Sequence, residues 1–373
     1  MRCLHICNDF FGSAVHRNLY NNLSEYPVQQ TIYYPSRSYA MPAGKSMECD
    51  IPNAHLIISR PLKKIHRLLF RRKINLLFDD LEQKVSLPKY DIVHATTLFS
   101  DGSLALKIKK KYGIPFIVTV RSTDVNGFLR FRKDLVSLAI RILKESERII
   151  FITPRLKQGL FKNKIIFGHK EYFLRKSDVL FNGIDPYWLE NKSPKRDLNP
   201  TKILYVGKLI RRKNVLNLSK AVIGLNNNGH NYKLTIVGSG GSYEKKIKQL
   251  AKERSEFISY KGKIMDKSKL KKVYRENHIF ALPSKSETFG LVYIEALSQG
   301  LPIIYLKNES VDGMFSSKVG NRLANPKIST LMKSLLEISK EYNHIDLSEI
   351  DFGDFAWPNI SSKYFEIYKQ CVL

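Results

Sequence analysis

Two glutamates separated by seven residues, Glu287 and Glu295, stand in the run Pro283-Ser-Lys-Ser-Glu287-Thr-Phe289-Gly290-Leu291-Val292-Tyr-Ile-Glu295-Ala-Leu-Ser298-Gln299-Gly300, which follows an apolar stretch ending at Leu282. Gly290 lets the backbone turn tightly into a helix, and the first free N–H groups of that helix, near Phe289 to Val292, point at whatever sits above the preceding strand. That is a seat for an anion. A diphosphate placed there needs no metal if the helix dipole and nearby lysines balance its charge. Glu295 lies about one and a half turns further on and shares an arc with Ser298 and Gln299. Its carboxylate either accepts two hydrogen bonds from a ribose diol or simply faces water.

A second cluster reads Val206-Gly207-Lys208-Leu-Ile-Arg211-Arg212-Lys213-Asn214 and also follows an apolar run. Two cations five residues apart at the carboxyl end of a strand, Lys208 and Lys213, can grip a diphosphate and steady the charge that grows as a nucleotide leaves. Lysine offers a point charge rather than a bidentate fork. Read alone, the four basic residues of this loop are equally a solvated surface.

With both segments in view, the chain resembles the family 4 glycosyltransferases, retaining enzymes of the GT-B fold. Their signature, P-S-x-x-E-x-F-G-L-x-x-x-E-A, is matched from Pro283 to Ala296. The resemblance implies that Glu287 approaches the transferred sugar, that the amides of Phe289, Gly290, Leu291 and Val292 hold sugar hydroxyls and phosphate, and that Glu295 binds the nucleotide ribose. It implies a G-R-L-x-x-x-K-G loop at Gly207, where this chain has Lys208 for the arginine, Lys213 for the lysine and Asn214 for the glycine. It places Gly238, in a Val237-Gly-Ser-Gly-Gly turn, in the nucleotide pocket, and Lys263 and Ile264 beside the base. In the amino-terminal half Gly12 matches a glycine loop near phosphate or acceptor. Thr119-Val-Arg121-Ser-Thr-Asp124 resembles T-x-H-x-x-D with arginine in place of histidine, so Arg121 binds oxygens rather than taking a proton. Asp124 joins it in a catalytic role or pairs with it as a structural bridge. Asn308-Glu309-Ser310 stands where the family has a glycine pair.

These residues need a scaffold, and the pattern supplies an α/β one. Short apolar runs at Cys3–Cys7, Tyr90–His94, Pro115–Val120, Arg148–Thr153 and Asp178–Asn182 alternate with helix-like stretches, Ala14–Leu23 and Asp101–Tyr112 among them. After a proline-rich interval the alternation restarts at Lys202–Gly207, Lys233–Gly238, Phe257–Tyr260 and His278–Leu282. Strands alternating with helices predict doubly wound parallel sheets. We read residues 1–186 as an acceptor-side Rossmann-like domain, 187–200 as a linker, 201–354 as a nucleotide-sugar-binding Rossmann-like domain facing the first across a cleft, and 355–373 as a helix that returns to the first domain. His94 reads as a packing histidine, and the four cysteines as free thiols, since none forms a C-x-x-C pair.

Charge bounds the partners. The 62 basic and 34 acidic residues leave a formal charge of +28, which says that the protein works near polyanions. The surplus is densest at Arg60, Lys63, Lys64, Arg67, Arg71, Arg72 and Lys73, interleaved with apolar residues and free of acids. Such a stretch either lies in an anionic membrane surface or packs as a helix with a solvated basic face. The opening residues lack a signal-peptide pattern, and we expect a cytoplasmic protein, peripheral on the inner face of the plasma membrane. The expected donor is a UDP- or GDP-linked sugar, with no cofactor and no metal, because no D-x-D follows a strand end. The expected acceptor is lipid-linked or an oligosaccharide, in work of the lipopolysaccharide or capsule kind. The rival readings are a GT-B epimerase or phosphorylase, an inactive donor-binding scaffold, and a nucleic-acid binder, although no nucleic-acid recognition motif occurs.

Overall fold

Parallel strands buried on both faces read as unbroken apolar runs, and in the computed structural model these runs build two sheets. Residues 1–37, 49–196 and 199–372 are described, apart from the side chain of Arg67. They fall into two compact units, Met1–Gly183 with Trp357–Leu373, and Ile184–Ala356.

The first unit holds β1 (Arg2–Ile6), β2 (Gln29–Tyr34), β3 (Ala54–Ile58), β4 (Ile92–Ala95), β5 (Phe116–Val120), β6 (Arg148–Phe151) and β7 (Ser177–Val179). All pair in parallel, in the order β3-β2-β1-β4-β5-β6-β7. Three helices matter for the site: α1 (Ala14–Leu23), α2 (Phe70–Lys84) and α3 (Ser100–Tyr112). Ser13 starts α1 by accepting the N–H of Val15, and Gly113 ends α3 at φ 74°. The C-terminal helix, Trp357–Val372, buries Ile360, Tyr364, Ile367 and Tyr368 in one cluster with Leu19, Tyr20 and Leu23 of α1. Gly183 makes room for it, because a Cβ there would lie 2.5 Å from the Trp357 ring. His94 is fully packed, its two ring nitrogens meeting the hydroxyls of Tyr368 at 2.7 Å and Thr119 at 3.0 Å.

The second unit holds β8 (Lys202–Val206), β9 (Lys233–Val237), β10 (Ile258–Gly262), β11 (Ile279–Ala281), β12 (Ile303–Leu306) and β13 (Gly320–Leu323), again parallel, in the order β10-β9-β8-β11-β12-β13. In each sheet the chain order reverses once: between β1 and β4 in the first, between β8 and β11 in the second. Connections leave such a switch point in opposite directions and open a crevice at the carboxyl ends of the strands.

Three expectations change. The interval read as a linker opens with a helix, Pro186–Glu190, capped by Asp185 and burying Trp188. Its next residues are held within the second unit, where Arg275 and Gln299 both donate to the carbonyl of Asn191. Proline at the first helical turn starts a helix as readily as it marks a loop. The basic stretch is not one amphipathic helix. A 3₁₀ turn over Lys64–Arg67 breaks at Leu68 and Leu69 before α2 begins. Lys73, expected on a membrane-facing surface, turns inward instead and donates to the Ser100 hydroxyl at 2.8 Å. Lys63, Lys64, Arg71 and Arg72 are exposed. The cysteines are free, Cys3 and Cys7 buried, Cys49 and Cys371 partly so.

Candidate functional site

Because β8 and β11 are neighbours, the loops that leave their carboxyl ends run side by side, and side chains and backbone zip them together. Asn214 donates from Nδ2 to the Pro283 carbonyl at 2.8 Å, the Lys285 N–H donates to the Arg212 carbonyl at 2.8 Å, and Arg212 donates from Nη1 to the Ser286 carbonyl at 3.0 Å. The closure is an ion pair between Lys213 Nζ and Glu287 Oε2 at 2.9 Å, with each side chain 12% exposed. A cation and a carboxylate from the two predicted motifs therefore meet. The Glu287 N–H is itself held, donating to Glu309 Oε2 at 3.1 Å.

The residues that differ from the family pattern fit for a reason of backbone geometry. Asn214 sits at φ 53° and Asn308 at φ 65°. That left-handed region favours glycine, and asparagine is among the few other residues that visit it routinely. Asparagine thus does the conformational work of the family's glycines at both places, and at 214 it adds two hydrogen bonds.

Gly290, at φ 79°, caps the helix Leu291–Ser298. A Cβ on it would lie 2.6 Å from the ring of Tyr293 and 3.1 Å from Ser310 Oγ, so the turn is packed on its inner side. Phe289 is buried, which leaves its backbone as the part available to a ligand, and Leu291 and Val292 are half-buried. Ser310 Oγ, buried beside this turn, has no hydrogen-bond partner among the described residues. Buried polar atoms are rarely left in that state, and its presence beside the helix start fits a polar ligand.

Around this centre the other carboxyl-end loops stack in strand order. Gly238, at φ 142°, lies so close to the Gly207 backbone that a Cβ would reach within 1.9 Å of the Gly207 carbonyl oxygen. Its N–H donates to the Gly262 carbonyl at 2.7 Å, which brings the turn with exposed Lys263 and half-buried Ile264 to the same edge. Lys208 is exposed, its carbonyl accepting the Tyr205 hydroxyl at 2.9 Å. Glu295 is neither solvated nor free, for Tyr274 donates to its Oε2 at 3.2 Å. Burial pushes its carboxyl up to about 7, against the opposing pull of the tyrosine hydrogen bond.

That shift gives a pH prediction. A carboxyl raised in the folded state stabilises the fold below its ordinary value near 4.5, and that contribution is lost as pH rises through about 7. Glu295→Gln should therefore raise the melting temperature of the second unit at pH 8 and leave it nearly unchanged at pH 5. Equal shifts at both values would show that the carboxyl is not held in its neutral form.

In the first unit the sequence candidates stand at the carboxyl ends of β1 and β5. At Gly12 the exposed Asp9 side chain folds over the backbone, a carboxylate oxygen lying 2.1 Å from where a Cβ would stand. Arg121 donates from Nε to the Thr96 carbonyl at 2.9 Å. Asp124 takes the structural alternative, pairing with Arg121 through the arginine's backbone N–H rather than through its guanidinium. At 1% exposure it accepts the backbone N–H groups of Arg121, Leu98 and Phe99 and so ties the β5 loop to the start of α3. Arg212, Asn214 and Glu309 were named in the sequence without these contacts: Arg212 and Asn214 reach the β11 loop from across the switch point, and Glu309 reaches it from the loop after the neighbouring β12.

Two family models match the chain, Glycosyltransferase Family 4 over residues 13–187 and Glycosyl transferases group 1 over residues 187–346. An uncharacterized glycosyltransferase of Methanocaldococcus jannaschii is 24% identical over 338 residues, 83% of either chain. The alpha-monoglucosyldiacylglycerol synthase of Acholeplasma laidlawii is 25% identical over 279 residues, 69% of this chain and 68% of that one. Among solved structures, Anabaena HepE in complex with UDP is similar in fold, with a TM-score of 0.73 over 99% of this chain and 100% of that chain at 15% identity.

Proposed function

The chain belongs to the family 4 glycosyltransferases and has their GT-B fold, and from that premise we propose that it moves a sugar from a UDP- or GDP-linked donor to a lipid-linked acceptor at the cytoplasmic membrane face, with retention and without a metal. The observation that carries this reading is the meeting of Lys213 with Glu287 at the mouth of the Gly290-capped helix.

The donor diphosphate takes the helix start, where backbone N–H groups and the dipole favour its charge. Lys213 exchanges its carboxylate partner for the leaving phosphate and steadies the negative charge that builds as the sugar–oxygen bond breaks. Glu287, released from the lysine, holds the transferred sugar. Exposed Lys208 closes on the outer phosphate. Cations and a helix terminus together do the work for which a divalent ion serves elsewhere, and the sequence carries no D-x-D after a strand. The acceptor hydroxyl bonds to the sugar on the face the diphosphate leaves and passes its proton to the departing phosphate oxygen, so no base is needed on the opposite face, which accords with retention. The relative named for making monoglucosyldiacylglycerol and the basic, apolar surface around Lys63 to Arg72 support a lipid acceptor. No helix among the described residues is long and apolar enough to cross a membrane.

The test is a panel of UDP- and GDP-sugars offered to the purified protein, read as a melting-temperature shift and as slow donor hydrolysis. One nucleotide sugar is expected to stabilise the protein and to be consumed with release of the free sugar. No shift with any of them would end the reading, and conversion to an epimer without hydrolysis would replace transferase with epimerase.

A further inference from the structure

A cavity at the carboxyl edge of the first sheet has no place in the donor chemistry. It measures about 590 Å³ and opens where Asn8 leaves β1, Thr97 leaves β4 and Thr123 leaves β5, which is the switch point of that sheet. Its walls are of two kinds. One is aromatic: Phe128 stacks on Phe99 at 4.7 Å and meets Phe70 edge-on at 5.9 Å. The other is cationic, made by Arg37, Lys63, Lys73 and Arg132.

Lys73 is the anchor. Its ammonium lies 4.8 Å from the Phe70 ring centre and donates to Ser100, and among the described residues no carboxylate forms an ion pair with it. Burial, with Arg37 and Arg132 adding to it, lowers its pKa to about 8 against the pull of Asp101. The helix that carries it is electrostatically frustrated. Arg71, Arg72 and Lys73 crowd the first turn of α2, at the positive end of the dipole, with no acidic residue in that turn and no side-chain cap. Each cation so placed costs a few tenths of a kcal/mol or more at that position. A local rule broken three times running marks a place where something outside the chain restores the balance. Beside the cavity the surface is apolar to an unusual degree, with Leu68 74%, Phe131 73% and Ile65 50% exposed.

We propose that this cavity is a binding site for a phosphate carried on a hydrocarbon chain, the phosphate on Lys73 and the chain along Phe70, Phe131 and Leu68. The inference rests on the lipid-acceptor reading and makes it specific: the acceptor is an anionic amphiphile whose phosphate is gripped inside the first unit, not a neutral lipid met at the surface. Charge and apolar area alone would fit adsorption to a membrane. An inward-turned lysine without a carboxylate partner, set in an aromatic wall, fits one headgroup.

The test uses calorimetric titration with decyl phosphate below its micelle concentration, compared with decanol and with inorganic phosphate. Decyl phosphate is expected to bind about tenfold or more tightly than either, as a charge-assisted contact combined with chain burial requires. Lys73→Met should weaken decyl phosphate by about tenfold or more. Phe131→Ser, at an exposed position that cannot unfold the core, should weaken decyl phosphate and leave inorganic phosphate unchanged. Equal affinity for decanol, or unchanged affinity in Lys73→Met, overturns the site. Flotation with phosphatidylcholine vesicles that rises with phosphatidylglycerol content equally in wild type and Lys73→Met, without decyl phosphate binding, assigns the charge to surface adsorption and also overturns it. UDP and GDP binding to the wild-type protein is measured alongside: nucleotide binding with no decyl phosphate binding removes this site alone, and the reverse removes the donor reading.

Discussion

Lys213→Met is expected to lower kcat by about 10²–10³-fold while changing UDP or GDP affinity much less. The lysine is placed by the 3₁₀ turn Arg211–Lys213 and by the left-handed Asn214 that follows it, so its ammonium arrives at the start of the Gly290 turn already in register. A preorganised cation gains most where charge grows most, which is on the leaving phosphate in the transition state and not on the resting donor. The variant also strands Glu287, a carboxylate only 12% exposed, and an unpaired buried charge can unfold a site by itself. The double variant Lys213→Met with Glu287→Gln removes that ambiguity. It should melt near the wild-type temperature and remain at least as slow as Lys213→Met. A double variant that recovered wild-type turnover would mean that the lysine only neutralises the glutamate.

Gly238→Ala should produce a large loss of stability in the second unit and remove nucleotide binding with it. At φ 142° the backbone is one that residues with a Cβ rarely adopt, and the added methyl would lie 1.9 Å from a main-chain oxygen that cannot swing aside. Strain of this kind costs on the order of 1–3 kcal/mol, and overpacking adds about as much again. For a unit of this size the sum lowers the melting temperature by roughly 10 °C. Gly240→Ala is the comparison. It shares a positive φ, 74°, but a Cβ there meets nothing within 4 Å, so it should cost only about 1 kcal/mol. Similar losses in the two variants would show that conformational strain, and not the close approach of the β8 and β9 loops, decides this position.

The sequence was most legible where a motif and its element coincide. Leu282 ends an apolar run, Gly290 turns and Glu295 follows on a helix, and each step is local, so the strand, loop and helix at β11 could be read without the rest of the chain. The same holds for β8 with Gly207 and for the alternation that predicts doubly wound sheets. Four strands escaped. β2 begins with two glutamines, and Gln30 is buried only because it accepts from or donates to His5 and donates to the Tyr20 carbonyl. β3 is half-exposed along its length. β12 and β13 are four residues each, and Asn321 and Arg322 interrupt the second. Composition hides such strands because sheet pairing, not local pattern, creates them.

Two side chains take partners that the sequence could not show, for one physical reason. Lys73 looks like another member of a basic face, and Asp124 like a carboxylate beside an arginine. Whether a charge faces water or backbone depends on which helix end lies next to it, and for both residues that is the start of α3. The long-range neighbour decided the outcome in each case. The opposite occurred at Asn214 and Asn308, where the residue that departs from the family pattern still adopts the left-handed backbone that glycine favours.

The most direct test of the account is a crystal structure of the protein with UDP or GDP bound. The diphosphate is expected on the first N–H groups of the helix Leu291–Ser298, with Lys213 Nζ moved from Glu287 to a phosphate oxygen and Glu295 hydrogen-bonded to the ribose. A nucleotide bound elsewhere, or bound there while Lys213 keeps its contact with Glu287 and no phosphate oxygen lies within its reach, would contradict it.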